Sequence, residues 1–210
     1  RFIPLAEQSQ LIVPIGMWVL RQACHFARHL SRSGYPQMHV AVNLSPKQLS
    51  DENLIGEVAR LIDSAGIEPN QLEFEITESA LLSSMEASSR KLKQLDELGV
   101  RLALDDFGTG YSSLTYLRLF PVKTLKIDKS FIDNIPERET VLVQSLIRFA
   151  QSLDMKVVAE GVERREQFEY LQNSGCDFVQ GYYMSLPVSE EDAMQFLQAK
   201  GNRETQQDRS

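Results

Sequence analysis

Two adjacent carboxylates, Asp105 and Asp106, have the type and spacing best suited to metal chemistry in this sequence. They end an apolar segment, 101–106, and precede a glycine-bearing run, 107–114. Two carboxylates this close repel each other, and a shared dication relieves that repulsion. Backbone N–H groups of the run could also hold a phosphate. Taken alone, the pair could equally form a turn whose acidic side chains cap a helix.

Polar residues stand at the ends of six segments that the sequence predicts to be strands. The segments are 39–43, 72–77, 101–106, 124–128, 156–160 and 178–184. The polar residues at or near their ends are Asn43, Glu75, Asp105 with Asp106, Lys126, Glu160 and Gln180. In a barrel of parallel strands these ends converge on one mouth. The sequence therefore predicts one pocket that is rich in carboxylates.

The segment 72–77 indicates how such carboxylates are directed. Side chains alternate along a strand, so its apolar residues face the helices while Glu73, Glu75 and Thr77 face the interior. Buried carboxylates are costly unless they are paired or bind a metal. We therefore predict that Glu75, nearer the mouth, is a metal ligand. Glu73 lies deeper, and we predict that it forms a structural ion pair.

The types of these residues indicate which metal they would bind. Oxygen ligands from Asp, Glu and Asn, without a cluster of His or Cys, suit Mg²⁺ or Mn²⁺. His25 and His29 are four residues apart on a predicted helix, but no third zinc ligand accompanies them. We interpret them as a solvated helix face. Lys126 could stabilise charge on a phosphate or balance the acids, and both roles stay open.

Helical patterns between the predicted strands indicate what positions these residues. Apolar residues recur at helical spacing within 54–62, 81–98 and 141–150. The run from Ser45 to Gln48 has the residues of a capping box. Gly99 and Gly175 stand where helices should end. Alternating strands and helices predict right-handed βαβ units and a parallel sheet.

The number of strands predicts an α/β fold of the (β/α)8 TIM-like barrel type. A helix predicted over about residues 11–30 precedes the first predicted strand, so we expect a barrel truncated at its N-terminus in this chain. The alternative is an open doubly wound sheet, which would need a glycine-rich phosphate loop that the sequence lacks. We expect one domain over residues 1–200 and a polar, frayed tail over 201–210.

Composition and charge argue against several classes of function. The 210 residues are 42% hydrophobic and 24% charged, as in a soluble globular domain. The net charge of −7 argues against binding of a nucleic-acid polymer or direct contact with an anionic membrane. No apolar run reaches about 18 residues, the length that crosses a bilayer. We expect a cytoplasmic protein, or the cytoplasmic part of a membrane-anchored one.

Seven motifs together resemble the EAL domains, which are phosphodiesterases of bacterial cyclic di-GMP signalling. The motifs are RFIPLAE from Arg1, VNLS from Val42, EITES from Glu75, DDFGTGYSSL from Asp105, KID from Lys126, AEGVE from Ala159 and QGY from Gln180. The resemblance extends from Arg1 to about Pro187. It implies a barrel close to the TIM type. It also implies hydrolysis of cyclic di-GMP to linear pGpG with two Mg²⁺ or Mn²⁺ ions.

The resemblance assigns roles to individual residues. It implies that the metal ligands are Asn43, Glu75, Asp105, Asp106 and Glu160. It implies that the catalytic residues are Glu78, Lys126, Glu160 and Gln180. Lys126 and Gln180 would position the water or the phosphate. Glu78 would anchor the loop after Asp106, which in the family shapes both the site and the dimer, and Glu163 is a supporting candidate.

Two features depart from the family pattern. The Glu-Ala-Leu motif and its nearby Arg, which supply a further metal ligand and a phosphate-binding group, would lie upstream of Arg1. Leu186 stands where the family often has a basic residue. We expect the 210 residues alone to be inactive or poorly folded, because a barrel that lacks strands exposes two sheet edges. We also expect a homodimer, with sensory or GGDEF-type domains upstream in the full-length protein.

Three functions stay open from the sequence. The first is a working cyclic di-GMP phosphodiesterase, which is favoured because each checkable position holds the expected residue type. The second is a catalytically inactive EAL-type domain that acts as a cyclic di-GMP receptor or protein-interaction module. The third is a metal-dependent barrel enzyme that acts on another substrate, such as a sugar phosphate.

Overall fold

The computed structural model describes residues 2–82, 85–108, 117 and 119–207, with the backbone alone for residues 82 and 200–207. Within these residues, six parallel strands form one sheet in chain order. The strands are β1 (Val40–Asn43), β2 (Leu72–Thr77), β3 (Arg101–Phe107), β4 (Thr124–Ile127), β5 (Lys156–Ala159) and β6 (Phe178–Val179). In this part of the chain β1 and β6 each pair with one neighbour, so the sheet is a half-barrel.

Helices connect the strands and confirm the predicted alternation. They are α1 (Ile3–Gln8), α2 (Ile12–Arg32), α3 (Pro46–Leu49), α4 (Leu54–Ala65), α5 (Glu78–Leu82), α6 (Met85–Glu97), α7 (Lys129–Ile132), α8 (Thr140–Ser152), α9 (Arg165–Asn173) and α10 (Glu190–Gln207). A 3-10 turn lies at Pro69–Gln71. Among the described residues, no helix is long and apolar enough to cross a membrane.

The hydrophobic core lies between the sheet and these helices. On β2, Leu72, Phe74 and Ile76 are at most 1% exposed, which confirms the predicted face. Leu104 on β3 and Leu125 on β4 are fully buried in the same core. Each such side chain stabilises the fold by roughly 1.5–3 kcal/mol. The core therefore fixes the strands whose opposite faces carry the polar residues.

Local signals for the ends of helices are confirmed. Ser45 Oγ accepts a hydrogen bond from Gln48 N at 3.3 Å, and Gln48 Oε1 accepts one from Ser45 N at 3.2 Å. This reciprocal capping box begins α3 directly after β1. Gly99 and Gly175 follow α6 and α9 in left-handed conformations, with φ of 89° and 75°.

The last strand is much shorter than predicted. The segment 178–184 was expected to be one strand, but β6 ends at Val179. Beyond it the backbone bends and bonds to the loop after β5. Val162 N donates to Gln180 O at 3.0 Å, and Tyr183 N donates to Val162 O at 2.9 Å. These contacts between distant segments replace the strand ladder that the apolar composition suggested.

The predicted helical patterns fall on helices, with two corrections. The pattern within 81–98 falls on α5 and α6. In α8 the buried face is Val143, Ile147 and Ala150, whereas Val141 is 77% exposed. The predicted frayed tail is helical as far as Gln207, because Glu, Gln and Arg favour helix. The domain boundary near residue 200 stays a prediction.

Candidate active site

Side chains from four neighbouring strand ends meet at the carboxyl edge of the sheet. Lys126 Nζ lies 2.6 Å from Glu75 Oε1 and 2.6 Å from Glu160 Oε1. It also lies 3.0 Å from Asp105 Oδ1. These contacts join β2, β3 and β4 to the first residue after β5. The predicted convergence is therefore confirmed for these four residues.

The backbone of β3 turns both adjacent carboxylates toward this centre. Successive side chains on a regular strand point to opposite faces. The pairing of β3 with β4 shifts register between Leu104 and Phe107, and Asp106 has a φ of 53°. That left-handed conformation costs a residue with a Cβ about 1–2 kcal/mol. As a result, Asp105, Asp106 and Glu160 each offer an oxygen within 4.8 Å of the others.

The buried lysine controls the charge of the centre. Lys126 is 4% exposed, and burial by itself would lower its pKa. Hydrogen bonds to Glu160 and Glu75, with the charges of Glu75 and Asp105, outweigh burial and raise the pKa above its usual value. Lys126 is therefore charged throughout the physiological range.

The pKa values of the carboxylates indicate that the centre can accept a further positive charge. Burial raises the pKa of Glu160, and burial followed by the charges of Asp105 and Asp128 raises that of Asp106. A raised pKa means that these groups favour protonation unless a cation is near. The buried Asp105 Oδ1 makes no hydrogen bond among the described residues, although Lys126 Nζ lies 3.0 Å away.

This donor set fits a hard dication. It consists of carboxylate oxygens, of which one is buried without a hydrogen bond and three lie within 4.8 Å of one another. Oxygen ligands of this type suit Mg²⁺ or Mn²⁺ better than softer metals. Asp105, Asp106 and Glu160 would hold the ion, with Glu75 adjacent through Lys126.

The two predicted residues at the edge strands are placed differently. Asn43 ends β1 beside Glu75 in the strand register, and its side chain is exposed. Gln180 follows β6, is exposed, and lines a cavity of about 480 Å³ together with Leu186. Neither side chain hydrogen-bonds to the carboxylate centre in the described part of the chain. Their assignments as metal ligand and water-positioning group stay predictions.

Glu78 and Glu163 occupy supporting positions. Glu78 is the first residue of α5, directly after β2, and is 7% exposed. Its predicted role concerns the loop after Asp106, most of which lies in 109–116, outside the described residues. Glu163 forms an ion pair with Lys129 at the start of α7.

The histidines occupy other parts of the fold. His39 Nε2 lies 3.3 Å from Glu73 Oε2, but an ion pair requires both groups to be charged, so the ion pair predicted for Glu73 stays a prediction. Burial raises the pKa of Glu73 and lowers that of His39. His25 is exposed, and the exposed His29 contacts Glu190 at 2.9 Å, which agrees with a solvated helix face.

One residue near the centre was missed from the sequence. Asp128 caps α7 by accepting a hydrogen bond from Ser130 N at 3.0 Å, and its charge helps to raise the pKa of Asp106. The available signal was its position two residues after Lys126, at the start of a helix. It adds a further negative charge beside the carboxylates.

Comparison with known proteins places these features in context. The family model described as EAL domain matches residues 1–187. The chain is 44% identical to the cyclic di-GMP phosphodiesterase NbdA of Pseudomonas aeruginosa, over 95% of this chain and 26% of that protein. It is 39% identical to the bifunctional diguanylate cyclase/cyclic di-GMP phosphodiesterase MucR of the same species, over 91% of this chain and 28% of that protein. It thus spans about a quarter of these relatives.

Solved structures show the same fold. The PaMucR phosphodiesterase in complex with c-di-GMP is 39% identical, with a TM-score of 0.88 over 91% of this chain and 78% of that chain. The EAL domain of Mycobacterium smegmatis DcpA is 35% identical, with a TM-score of 0.83 over 89% of this chain and 84% of that chain. The six described strands are therefore the half-barrel sheet of a TIM-like barrel.

Proposed function

Because the chain belongs to the EAL domain family, we propose that it is a metal-dependent phosphodiesterase domain that hydrolyses cyclic di-GMP to linear pGpG. The carboxylate centre carries this proposal: Asp105, Asp106 and Glu160 place oxygens within 4.8 Å of one another. Lys126 supplies a buried positive charge beside them. The names of similar proteins, such as NbdA, support the choice of substrate.

We expect two Mg²⁺ or Mn²⁺ ions in the working site. The proposed ligands are Asn43, Glu75, Asp105, Asp106 and Glu160. When bound, the ions supply positive charge that lowers the pKa of water and offsets the charge of the phosphodiester. The raised pKa values of Asp106 and Glu160 support this placement, because a nearby dication favours their ionised forms.

Residues of the chain itself orient the reaction. Lys126 holds Glu75 and Glu160 at 2.6 Å and keeps its proton, so it can donate to a phosphate oxygen or to the attacking water. Gln180 would add a hydrogen bond from the last strand, and Glu78 would anchor the loop after Asp106. The net reaction adds water across one P–O3′ bond. The phosphorus keeps the new oxygen, and the 3′ oxygen leaves with a proton.

An isosteric change at one carboxylate tests the proposal. In the full-length protein with Mg²⁺, we expect wild type to convert cyclic di-GMP to pGpG, as followed by chromatography. Asp105→Asn keeps the shape but loses the charge that holds the ion, so kcat should fall by at least about 100-fold. Asp63→Asn, an exposed position on α4, is the matched control and should keep wild-type rates. Equal rates in Asp105→Asn and wild type would contradict the assignment.

A second candidate is an inactive EAL-type domain that binds cyclic di-GMP or a protein partner. The observation in its favour is that Lys126 already contacts three carboxylates, so the cluster is charge-balanced in part without an ion. This candidate predicts binding of cyclic di-GMP in EDTA by calorimetry and no pGpG after addition of Mg²⁺ or Mn²⁺. Turnover by the full-length protein would eliminate it.

The setting of the domain is also proposed. The relatives are about four times longer than the matched segment, and MucR is named as bifunctional. We infer a multidomain signalling protein with sensory or GGDEF-type domains upstream of a domain ending near residue 200. We further infer that it acts as a cytoplasmic homodimer, or as the cytoplasmic part of a membrane-anchored protein. Size-exclusion chromatography with light scattering tests the dimer.

A further inference from the structure

A buried glutamine on α9, Gln167, makes three hydrogen bonds to the loop after β5 and to α7. It is 2% exposed. Its Oε1 accepts hydrogen bonds from Glu163 N at 2.8 Å and Arg164 N at 2.9 Å. Its Nε2 donates to Ile132 O at 2.9 Å. A buried amide with this many partners holds its surroundings in one arrangement, because any movement leaves a buried polar group unpaired.

These bonds connect the loop after β5 to α7, the two segments that follow Glu160 and Lys126. Glu163 belongs to the loop after β5, which begins with Glu160. Ile132 ends α7, which follows β4 and Lys126. Glu160 and Lys126 are the groups joined at 2.6 Å. Gln167 therefore links the segments behind both partners, without touching either.

Further contacts, most of them from Arg164, cross the same gap. Arg164 Nη2 donates to Ile135 O at 2.7 Å, and Lys129 pairs with Glu163. The loops approach closely, because a Cβ at Gly161 would lie 2.4 Å from Lys129 Cγ. The Lys129 and Glu163 side chains are 47% and 41% exposed, so solvent screens their attraction. Gln167 is the buried member of the set and should contribute most to its rigidity.

We propose that Gln167 is a positioning residue that fixes the loop after β5 against α7 and thereby keeps Glu160 in register with Lys126. Its effect on turnover rests on the proposed phosphodiesterase function, whereas its effect on the two loops does not. Supporting groups of this kind commonly change metal affinity or activity by about 10–100-fold when they are removed.

The same residue also completes the capping box of α9, and the experiment must separate the two roles. Gln167→Glu keeps the oxygen that accepts from Glu163 N and Arg164 N, so the cap survives. At pH 8 it has no N–H for Ile132 O, so the link to α7 is lost. Gln167→Met removes both the cap of α9 and the link to α7. Glu169→Gln is the control, because Glu169 lies on the same helix in an exposed pair with Arg165.

The test uses the full-length protein with four measurements: melting temperature, kcat and KM, Mn²⁺ affinity by electron paramagnetic resonance, and hydrogen exchange. For Gln167→Glu we expect a folded protein with a melting temperature below that of wild type, because a buried carboxylate oxygen then faces Ile132 O. We also expect kcat lowered about 10-fold and Mn²⁺ bound about 10-fold more weakly. KM should change less than about threefold, because substrate contacts are untouched. Exchange should become faster in peptides covering 129–135 and 160–164.

Two results would overturn the proposal. One is unchanged exchange in both peptides of Gln167→Glu. The other is faster exchange with kcat and Mn²⁺ affinity within twofold of wild type, which would make Gln167 structural only. If wild type neither hydrolyses cyclic di-GMP nor binds Mn²⁺, the proposed function fails, and the exchange comparison alone decides whether Gln167 fixes the loops. If Gln167→Met does not fold, Gln167→Glu still gives every measurement.

Discussion

The middle and the edges of the sheet position their polar residues to different degrees. Strands β2 to β5 each have two hydrogen-bonded neighbours, and their ends bring Lys126 within 3.0 Å of three carboxylates. In the described chain, β1 and β6 have one neighbour each. The polar residues at their ends, Asn43 and Gln180, are exposed and make no hydrogen bond to that centre among the residues that the structure describes.

The difference follows from how a strand is held. A strand between two neighbours has its register fixed on both sides, so a polar residue at its end is aimed reliably. An edge strand has one ladder and more freedom. In the described chain the central carboxylates are therefore held together by the sheet, whereas Asn43 and Gln180, whose roles in the site are proposals, lie outside that cluster. The following predictions test this contrast, from the largest expected effect to the smallest.

Replacing the central cation should have the largest effect. Lys126→Met keeps the aliphatic stem but leaves the buried Asp105 and the partly buried Glu75 and Glu160 without their positive partner. Breaking a buried ion pair typically costs about 3–5 kcal/mol, so the free energy of unfolding in urea should fall by that order. Mg²⁺ should restore part of the lost free energy of unfolding. We also expect kcat to fall more than KM rises, because Lys126 acts on developing charge.

A surface lysine provides the matched control for Lys126. Lys156 pairs with Asp177 at 2.7 Å, but its side chain is 66% exposed. Lys156→Met should therefore cost at most about 1 kcal/mol, with no response to Mg²⁺. Equal losses of stability in the two variants would show that the centre is not preassembled, and the contrast with the edges would fail.

The edge residues should give an intermediate effect on turnover. Gln180→Ala removes one proposed hydrogen bond to water or phosphate, which corresponds to a loss of about 10–100-fold in kcat/KM. Stability should change little, because Gln180 is exposed. Gln172→Ala, at an exposed position on α9, is the control. A loss as large as that in Asp105→Asn would show that β6 is as rigid as the central strands in the working protein.

The sequence predicted the central strands better than the edges for a physical reason. On β2, alternating apolar and polar residues encode both the strand and its faces, and burial of Phe74 enforces the pattern. On β6 the information is not local. Residues 178–184 look like a strand, but Gly181 lies against the backbone of Val162, where a Cβ would be 2.2 Å from its oxygen. That contact between distant segments bends the chain.

The site was predictable to a similar extent. Strand ends located Glu75, Asp105, Lys126 and Glu160, because parallel strands gather their carboxyl ends wherever the sheet forms. Gln167 was not predictable in this way. Its local pattern indicates only a helix cap, whereas its bond to Ile132 O spans 35 residues and depends on how two loops pack. A turn at Asp105 and Asp106 was only one of two interpretations from the sequence, and the left-handed φ of 53° at Asp106 was not predicted.

The smallest expected effect compares a thiol in the core with one beside β6. Burial raises the pKa of both Cys24 and Cys176 from 9.0 to about 11, so both are protonated at pH 8. Because each folded pKa lies above 9.0, this contribution to stability is complete below pH 9 and is lost as the pH rises to about 11. In urea titrations, Cys176→Ser should therefore lose less stability than wild type between pH 8 and pH 10.

Because both thiols are protonated at pH 8, chemical labelling at this pH compares how accessible the two cysteines are to the reagent. Cys24 is 2% exposed on α2, whereas Cys176 is partly exposed and bonds to Phe178 O at 3.2 Å. If the edge is more mobile than the middle, iodoacetamide should modify Cys176 several times faster than Cys24, as measured by mass spectrometry of peptides. A ligand that orders the residues around β6 should bring the modification rates of Cys176 and Cys24 closer together. Equal rates without ligand would mean that the edge opens no more readily than the core, and that Gln180 is already held.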